Sequence, residues 1–242
     1  MKKICILFVL LSCMWSGNVW GQTAEEVIER SYKAAGIDQF DVKSQSLKMS
    51  MSVTAGGMTL PITSVMKYPD KMKTEMNMMG MSVEMIVHGD EGWISVPGQG
   101  VQPLPKEQVA QIRQQNDIFS SMKWDKNEYD LLLLDPVTKD GRQYDVVEFK
   151  VKEGVQIPET IEKMVGYFDH ETGLIAFIDM DIVEGGESVS TKTVMDNYKE
   201  EDGVRYPSKM KVYVNGVEVS SIEITEFDLD YPTTDEMFAK PQ

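Results

Sequence analysis

The feature that most constrains the fold of this chain is the strict alternation of apolar and polar residues in its first half. In the segment LKMSMSV, the apolar residues all fall on one side of an extended chain: Leu47, Met49, Met51 and Val53. Further segments up to residue 87 repeat the pattern, and turns such as Gly56-Gly57 and Gly80 separate them. A period of two is typical of β-strands with one buried and one solvated face. The pattern predicts an antiparallel sheet with one apolar face.

Strand-like segments return from residue 142 and continue to residue 227. Asn215-Gly216 is the strongest hairpin signal among them, because a tight hairpin turn needs positive φ at both central positions. Before these strands, the apolar cluster Leu131 to Leu134 is expected to stop at Asp135-Pro136. No linker or shift in composition separates the two halves, so residues 22–242 are predicted to form a single domain.

Two helices are expected beside the strands. Thr23 and Glu26 have the spacing of a capping box, and the amphipathic segment that follows them ends at Gly36. The second helix begins after Pro105, which suits a first helical turn. In its sequence, KEQVAQIRQQNDIF, apolar residues recur at roughly helical spacing: Val109, Ile112, Ile118 and Phe119.

Residues 1–21 have the pattern of a secretory signal peptide, with two lysines before an apolar run and small residues before the cleavage position. Export to the periplasm is therefore expected. An alternative stays open, in which LLSC is a lipobox and Cys13 becomes acylated. Cys5 and Cys13 are the only two cysteines. The cleaved chain would therefore have no disulfide, thiolate metal site or cysteine nucleophile.

Composition and motifs argue against several classes of function. The formal charge is −15, and it becomes −17 when Lys2 and Lys3 leave with the signal peptide. So acidic a chain is poorly suited to nucleic acid or to anionic bilayers. Its two histidines, His88 and His170, lie beside turns, and no nucleophile elbow, phosphate loop or zinc motif is present. The sequence predicts neither an enzyme nor a bound cofactor or metal.

The methionines are the most informative anomaly. Nine of the 18 fall with Leu60 on the apolar side of four consecutive predicted strands: Met49, Met51, Met58, Met66, Met72, Met76, Met78, Met81 and Met85. An ordinary sheet core is one interpretation. A pocket that adapts to acyl chains is another, because methionine is flexible and polarisable. Binding of Cu(I) by thioethers is a third, although strand alternation places Met78 and Met79 on opposite faces.

Two heptapeptides nearly repeat each other: KYPDKMK at 67–73 and RYPSKMK at 205–211. Proline fixes φ and removes a backbone donor, so each copy is expected to mark a place where a strand is interrupted. The sequences around the copies differ, which favours a shared geometric requirement over a duplicated binding motif.

Several of these segments, in this order, resemble the periplasmic lipoprotein carriers of the Lol pathway and related outer-membrane lipoprotein-sorting proteins. The segments are the N-terminal helix, KYPDKMKTEM, IVHGDEGWISVPG, the mid-chain helix, GVRYPSKMKV and DEMFAKP. The resemblance implies a mainly β fold, an open, incomplete antiparallel barrel (half-barrel) with an N-terminal helix and a mid-chain lid helix. It further implies that the methionine face and Trp93 line an apolar cavity, with Val109 and Ile112 in the lid.

One position departs from the carriers. Many of them have an arginine before the proline of the first strand-end motif, where it governs release of cargo, and Tyr68 occupies that position here. By resemblance, the chain is expected to be a monomeric periplasmic carrier or chaperone that binds lipid or lipoprotein acyl chains. A sensor or assembly module that binds an envelope protein on the same fold remains the alternative.

Overall fold

The computed structural model describes most of the chain after the predicted signal peptide. The described residues are 22–38, 46–78, 80–115, 124, 126–155 and 160–241. The predicted leader at 1–21, which includes Cys13, lies outside them, as do Ile118 and Phe119 of the predicted lid helix.

Strands dominate the structure, as predicted. The first six strands are β1 Ser46–Ala55, β2 Met58–Lys67, β3 Lys71–Met78, β4 Met81–His88, β5 Glu91–Val96 and β6 Gly100–Pro103. The remaining seven are β7 Tyr129–Lys139, β8 Arg142–Val151, β9 Thr160–Asp169, β10 Ile175–Glu184, β11 Glu187–Glu201, β12 Val204–Val214 and β13 Val217–Leu229. The helices are α1 Ala24–Ala35 and α2 Lys106–Gln115, and a 3₁₀ turn spans Asp235–Phe238.

The thirteen strands of the described residues all belong to one antiparallel sheet. Its order is β6-β5-β4-β3-β2-β1-β13-β12-β11-β10-β9-β8-β7. Strand β13 returns to pair with β1, which joins two meanders into one surface. Strands β6 and β7 end the order and do not pair with each other in the part of the chain that the structure describes. The prediction of an open, mainly β half-barrel is confirmed.

Both helices pack on the same face of the sheet, named here the inner face. Ile37, just after α1, and Val109 of α2 share one apolar cluster with the inward residues of β1 to β4, β12 and β13. A second cluster joins α1 to Val147 of β8 and Phe168 of β9. The opposite, outer face carries many cross-strand ion pairs, including Lys73 with Glu84 at 2.8 Å.

The sequence signals for α1 are realised. The Thr23 hydroxyl accepts a hydrogen bond from the Glu26 amide, and the Glu26 carboxylate accepts one from the Thr23 amide. Gly36 ends the helix with a φ of 73°, in the left-handed region that favours glycine. The Asn215-Gly216 prediction is also correct, since both residues have positive φ, 50° and 80°.

Two predictions about prolines need correction. Strand β7 continues through Asp135-Pro136 to Lys139, with a register shift between Leu134 and Val137. It lies at the edge of the sheet, where proline and an irregular register are tolerated. The two heptapeptides also differ in structure. Tyr68–Asp70 is the turn between β2 and β3, whereas Pro207 lies inside the continuous strand β12.

The strand beside Pro207 shows why β12 is not interrupted there. Tyr198 lies opposite Pro207 and Asp196 lies opposite Lys209, so the register of β11 and β12 is unbroken and Asn197 lies opposite Ser208. Asn197 has a φ of 52°. The Asn197 side-chain amide donates a 2.7 Å hydrogen bond to the Ser208 hydroxyl, and this hydroxyl donates one of 2.6 Å to the Asn197 carbonyl, so side-chain hydrogen bonds support the pairing beside the proline.

Candidate functional site

The inner face carries three successive cross-strand rows that are mostly apolar. The first row is Gly92, Val87, Met72, Met66, Leu47 and Leu229. The second is Ile94, Met85, Thr74, Ser64, Met49 and Phe227. The third is Val83, Met76, Ile62, Met51 and Ile224. The rows bring together, on one wall, the methionines that the alternation placed on a common side.

The methionines at the two ends of this wall differ in exposure. At the end covered by the helices, named here the base, Met66, Met72 and Met49 are 4%, 5% and 8% exposed. At the opposite end, Met58 is 68% exposed and Met78 and Met81 are each 49% exposed. Met51, Met76, Met85 and Leu60 lie between these extremes. The wall is a closed core at the base and an accessible apolar surface beyond it.

One polar pair interrupts the methionine wall. The hydroxyls of Ser64 and Thr74 face each other across β2 and β3 and form a hydrogen bond of 3.0 Å. Both side chains are buried. Because each satisfies the other, the pair leaves this part of the wall compatible with an apolar ligand.

Helix α2 covers the base through a few apolar contacts. Val109 is buried and Ile112 is half-buried against the same cluster as Met72 and Val87. Gly92 makes room for it, since a Cβ there would lie 2.8 Å from Val109 Cγ2. The ion pair of α2 with the turn after β4, Arg113 to Asp90 at 2.7 Å, is exposed.

Helix α1 is held more firmly than α2. Arg30 donates a hydrogen bond to the buried carboxylate of Asp145, which also lies 3.0 Å from Nδ1 of His170. The Tyr32 hydroxyl accepts a 2.6 Å hydrogen bond from the Trp124 amide, and burial raises the pKa of Tyr32 to about 12. Gly36 also approaches the backbone of Gly203 closely, because a Cβ added at Gly36 would lie only 1.9 Å from the Gly203 carbonyl oxygen.

Two residues that the resemblance implicated lie in different places. Trp93 is on the outer face, opposite Ile86 in the register, and packs with Val65, Ile86 and Phe238. Its neighbours in β5, Gly92 and Ile94, take the inward positions, so the expectation that Trp93 shares the methionine wall is not met. Tyr68, in contrast, packs against the base of the inner face.

The outer face has a groove that the sequence analysis did not predict. It has a volume of about 590 Å³ and lies across β9 to β12. Its polar lining includes Lys163, Asp179, Asp181, Lys192 and Tyr213. Beside it, Tyr167 and Phe177 stack with their ring centroids 4.1 Å apart, and the Lys192 ammonium lies 4.1 Å from the Phe177 centroid. Only the strand register brings these residues together.

Comparison with known proteins gives a consistent fold but no close relative. No family model matches the sequence, and no curated protein is similar to it. A DUF1329 family protein from Desulfovibrio piger has a TM-score of 0.57 and 17% identity, over 90% of this chain and 98% of that one. A LolA superfamily protein from Nitrosomonas europaea has a TM-score of 0.53 and 13% identity, over 90% and 98%.

A putative outer membrane lipoprotein-sorting protein domain from Vibrio parahaemolyticus also has a TM-score of 0.53 and 13% identity, over 90% of this chain and 97% of that one. The chain has the fold of these proteins. This LolA-like fold confirms the resemblance that the sequence segments suggested.

Two other structural features bear on function: membrane-spanning helices and metal sites. Among the described residues, neither helix is long and apolar enough to cross a bilayer. The same residues contain no group of three or more histidine, aspartate or glutamate side chains arranged to hold a metal ion. The copper hypothesis, which depends on methionine, stays a hypothesis.

Proposed function

We propose that this protein is a periplasmic carrier or chaperone that binds the acyl chains of a lipid or lipoprotein on its inner face, without covalent catalysis. The observation that carries the proposal is the graded methionine wall. It is closed at the base by two helices and open beyond Met51 and Met76. An acyl chain laid along the wall would pass from an accessible surface to a dry core.

The physical chemistry of the wall suits such a ligand. Burial of each CH₂ group contributes roughly 0.8 kcal/mol without any directional contact. Unbranched methionine side chains adjust to chains of different length and shape more easily than branched residues do. The description of the Vibrio parahaemolyticus structure, a putative lipoprotein-sorting domain, is consistent with this class of ligand.

Of the two helices, α2 is the better candidate for a lid. Among the described residues, its contacts at the base include the buried Val109, the half-buried Ile112 and an exposed ion pair. Movement of α2 would extend the accessible wall towards Met72 and Val87, while α1 remains tied to β8 through Arg30 and Asp145.

Tyr68 packs against the base where the carriers have an arginine, and we assign it as a candidate release position. A Tyr68→Arg variant tests this role when the rate of release of bound lipid is compared with that of the unchanged protein. An unchanged rate would mean that the turn has only a structural role.

The decisive experiment combines lipid extraction with direct binding. Protein purified gently from its native envelope is expected to yield lipid, and the delipidated protein is expected to bind a fluorescent fatty acid. Met76→Glu places a charge on the wall and should weaken binding at least about tenfold. Asn77→Glu is the matched control, because Asn77 is the next residue of β3 and points to the outer face. Absence of both lipid and probe binding would refute the proposal.

The place of the protein in the envelope is a separate part of the proposal. A signal peptide ending at residue 21 predicts a free periplasmic chain, and acylation of Cys13 predicts a membrane-anchored one. The intact mass of the native protein distinguishes the two, since acylation retains Cys13 and adds the mass of the lipid.

The polar groove on the outer face favours a second candidate, the binding of an envelope protein. Opposite charges beside aromatic rings, such as Asp181, Lys163 and Tyr167, suit a polar protein segment better than an acyl chain. Crosslinking in the native envelope tests this role. A partner captured by the unchanged chain and by Met76→Glu, but not by Lys163→Glu, would support it.

A further inference from the structure

Four neighbouring hairpin turns at one end of the sheet are nearly free of charge, unlike the turn from Glu184 to Glu187 between β10 and β11 at the same end. At the end opposite the helices, four turns that are neighbours in the sheet lie in segments 54–59, 76–82, 95–102 and 213–219. Together these segments contain one charged residue, Glu218, although 26% of the whole chain is charged. Glu218 is itself paired with Lys211 at 2.9 Å.

Turns at the helix-covered end have the opposite character. Every one of them carries charge, as in KYPDK, HGDE, KDGR, DHETG and KEEDGVR. Solvent alone therefore does not explain why the four neighbouring turns lack charges, because the turns at both ends serve the same structural purpose.

These four turn segments also contain most of the large apolar side chains that are exposed among the described residues. Val217 is 66% exposed and Val219 is 42% exposed, beside the exposed Met58, Met78 and Met81. We name these five residues the rim. Met78 and Met81 pair across β3 and β4 at the top of the methionine wall, so the rim continues the apolar surface of the inner face.

We propose that the rim docks onto a lipid bilayer with neutral headgroups and sinks its turns into the interface. An exposed apolar patch marks a contact with either a membrane or a protein. Protein interfaces depend mainly on tryptophan, tyrosine and arginine anchors, whereas the rim offers only methionine and valine side chains. The formal charge of −15 opposes anionic lipid, which leaves a neutral surface as the favoured one.

Docking would place the open end of the methionine wall against the membrane, so that an apolar ligand avoids crossing water. The inference goes beyond acyl binding, since a rim can dock whether or not the inner face holds a ligand. The two properties are therefore measured separately on the same samples.

Flotation of the full chain with phosphatidylcholine vesicles tests the inference. The double variant Met58→Glu/Val217→Glu places two charges on the rim and should reduce the bound fraction at least about tenfold. Leu132→Glu is the matched control, because Leu132 is also exposed, at 42%, but lies on the edge strand β7. Any contribution from an acylated N-terminus is the same in all three proteins. Adding phosphatidylglycerol to the vesicles should weaken binding.

Three results would overturn the inference: no binding to phosphatidylcholine, equal loss in Leu132→Glu, or rim variants that abolish only self-association. Binding of the fluorescent fatty acid is expected to be retained in the rim variants. Loss of vesicle binding with retained fatty-acid binding supports the rim as a docking surface. Retained vesicle docking without fatty-acid binding would contradict the proposed function alone.

Discussion

The base and the rim of the inner face use the same residue type in opposite environments. Met66 and Met72 are buried beneath the helices, whereas Met78 and Met81 are exposed on a continuation of the same wall. Alternation along the strands places all four methionines on one face, but only those that the helices cover are buried. One pattern in the sequence thus produces a structural core at one end and an accessible surface at the other.

The same division separates the two helices. Helix α1 is joined to the sheet by a buried carboxylate, a tyrosine hydroxyl and a close backbone approach at Gly203. Helix α2 is attached through Val109, Ile112 and an exposed ion pair. Helix α1 is therefore fixed firmly to the base, whereas α2 is a more weakly held cover.

Replacing Gly36 with alanine should cause the largest loss of stability at the base. Gly36 and Gly57 both have positive φ, 73° and 78°, so alanine at either position is strained by about 1 kcal/mol or more. At Gly36 the new Cβ would also meet the Gly203 carbonyl, which forces α1 away from β12. Urea unfolding should show a loss of about 4 kcal/mol for Gly36→Ala. Gly57→Ala, at the open end with nothing within 4 Å, should lose only about 1 kcal/mol.

A comparable loss of unfolding free energy in Gly36→Ala and Gly57→Ala would mean that α1 adjusts easily to the sheet. That result would contradict the interpretation that α1 is fixed firmly to the base.

The two arginines provide the next test of unequal helix attachment. Arg30→Ala leaves the buried Asp145 carboxylate without its strongest partner, which should destabilise the protein by about 3 kcal/mol. Arg113→Ala removes an ion pair with an exposed aspartate and should change stability by less than about 1 kcal/mol. Thermal unfolding followed by circular dichroism measures both. Equal effects would contradict the distinction between α1 and α2.

Methionine truncation compares the two ends of the wall directly. Met72→Ala should lower the free energy of unfolding by about 2 to 3 kcal/mol, because it opens a cavity in a buried cluster. Met78→Ala should lower it by less than about 0.5 kcal/mol, since the side chain is half exposed. Chemical denaturation of the two variants gives both values. A large loss at Met78 would show that the open end is covered in solution.

Much of the fold is predictable from the sequence because local rules agree with each other there. The alternation of β1 to β4, the Thr23 capping box and the Asn215-Gly216 turn each follow from backbone and solvent requirements within a few residues. The two proline errors have a common origin. Whether a strand tolerates proline depends on its neighbours, and neither the edge position of β7 nor the unbroken pairing of β12 with β11 is visible in one sequence.

The sequence predicted which residues share the inner face. It did not predict how deeply each of them is buried. Alternation places Met49 and Met81 on one side, but their exposure depends on helices that are distant in the sequence. Trp93 was misplaced because the family motif that contains it says nothing about which side of β5 points inward. The outer groove depends on the pairing of β9 to β12, so its charged residues look unrelated along the chain.

The smallest expected effect is a pH dependence of stability to which Tyr32, at the base, contributes. Tyr32 packs against both apolar clusters, and burial raises its pKa from 10.0 to about 12, although the hydrogen bond from the Trp124 amide lowers it somewhat. Because the folded-state pKa lies above that of an unfolded tyrosine, its contribution to stability is complete below pH 10. That contribution is lost as the pH rises towards 12.

The melting temperature should therefore fall across this pH range, and the fall should be smaller in Tyr32→Phe, where the other tyrosines with raised pKa values, such as Tyr198 and Tyr206, remain. The variant should lose stability at neutral pH, by about 1 kcal/mol, because the Trp124 amide loses its acceptor. Vesicle binding through the rim should be unaffected at neutral pH, since Tyr32 lies at the covered end. If Tyr32→Phe instead keeps the full alkaline decline, ionisation of Tyr32 does not loosen the base, and α1 is held by its other contacts.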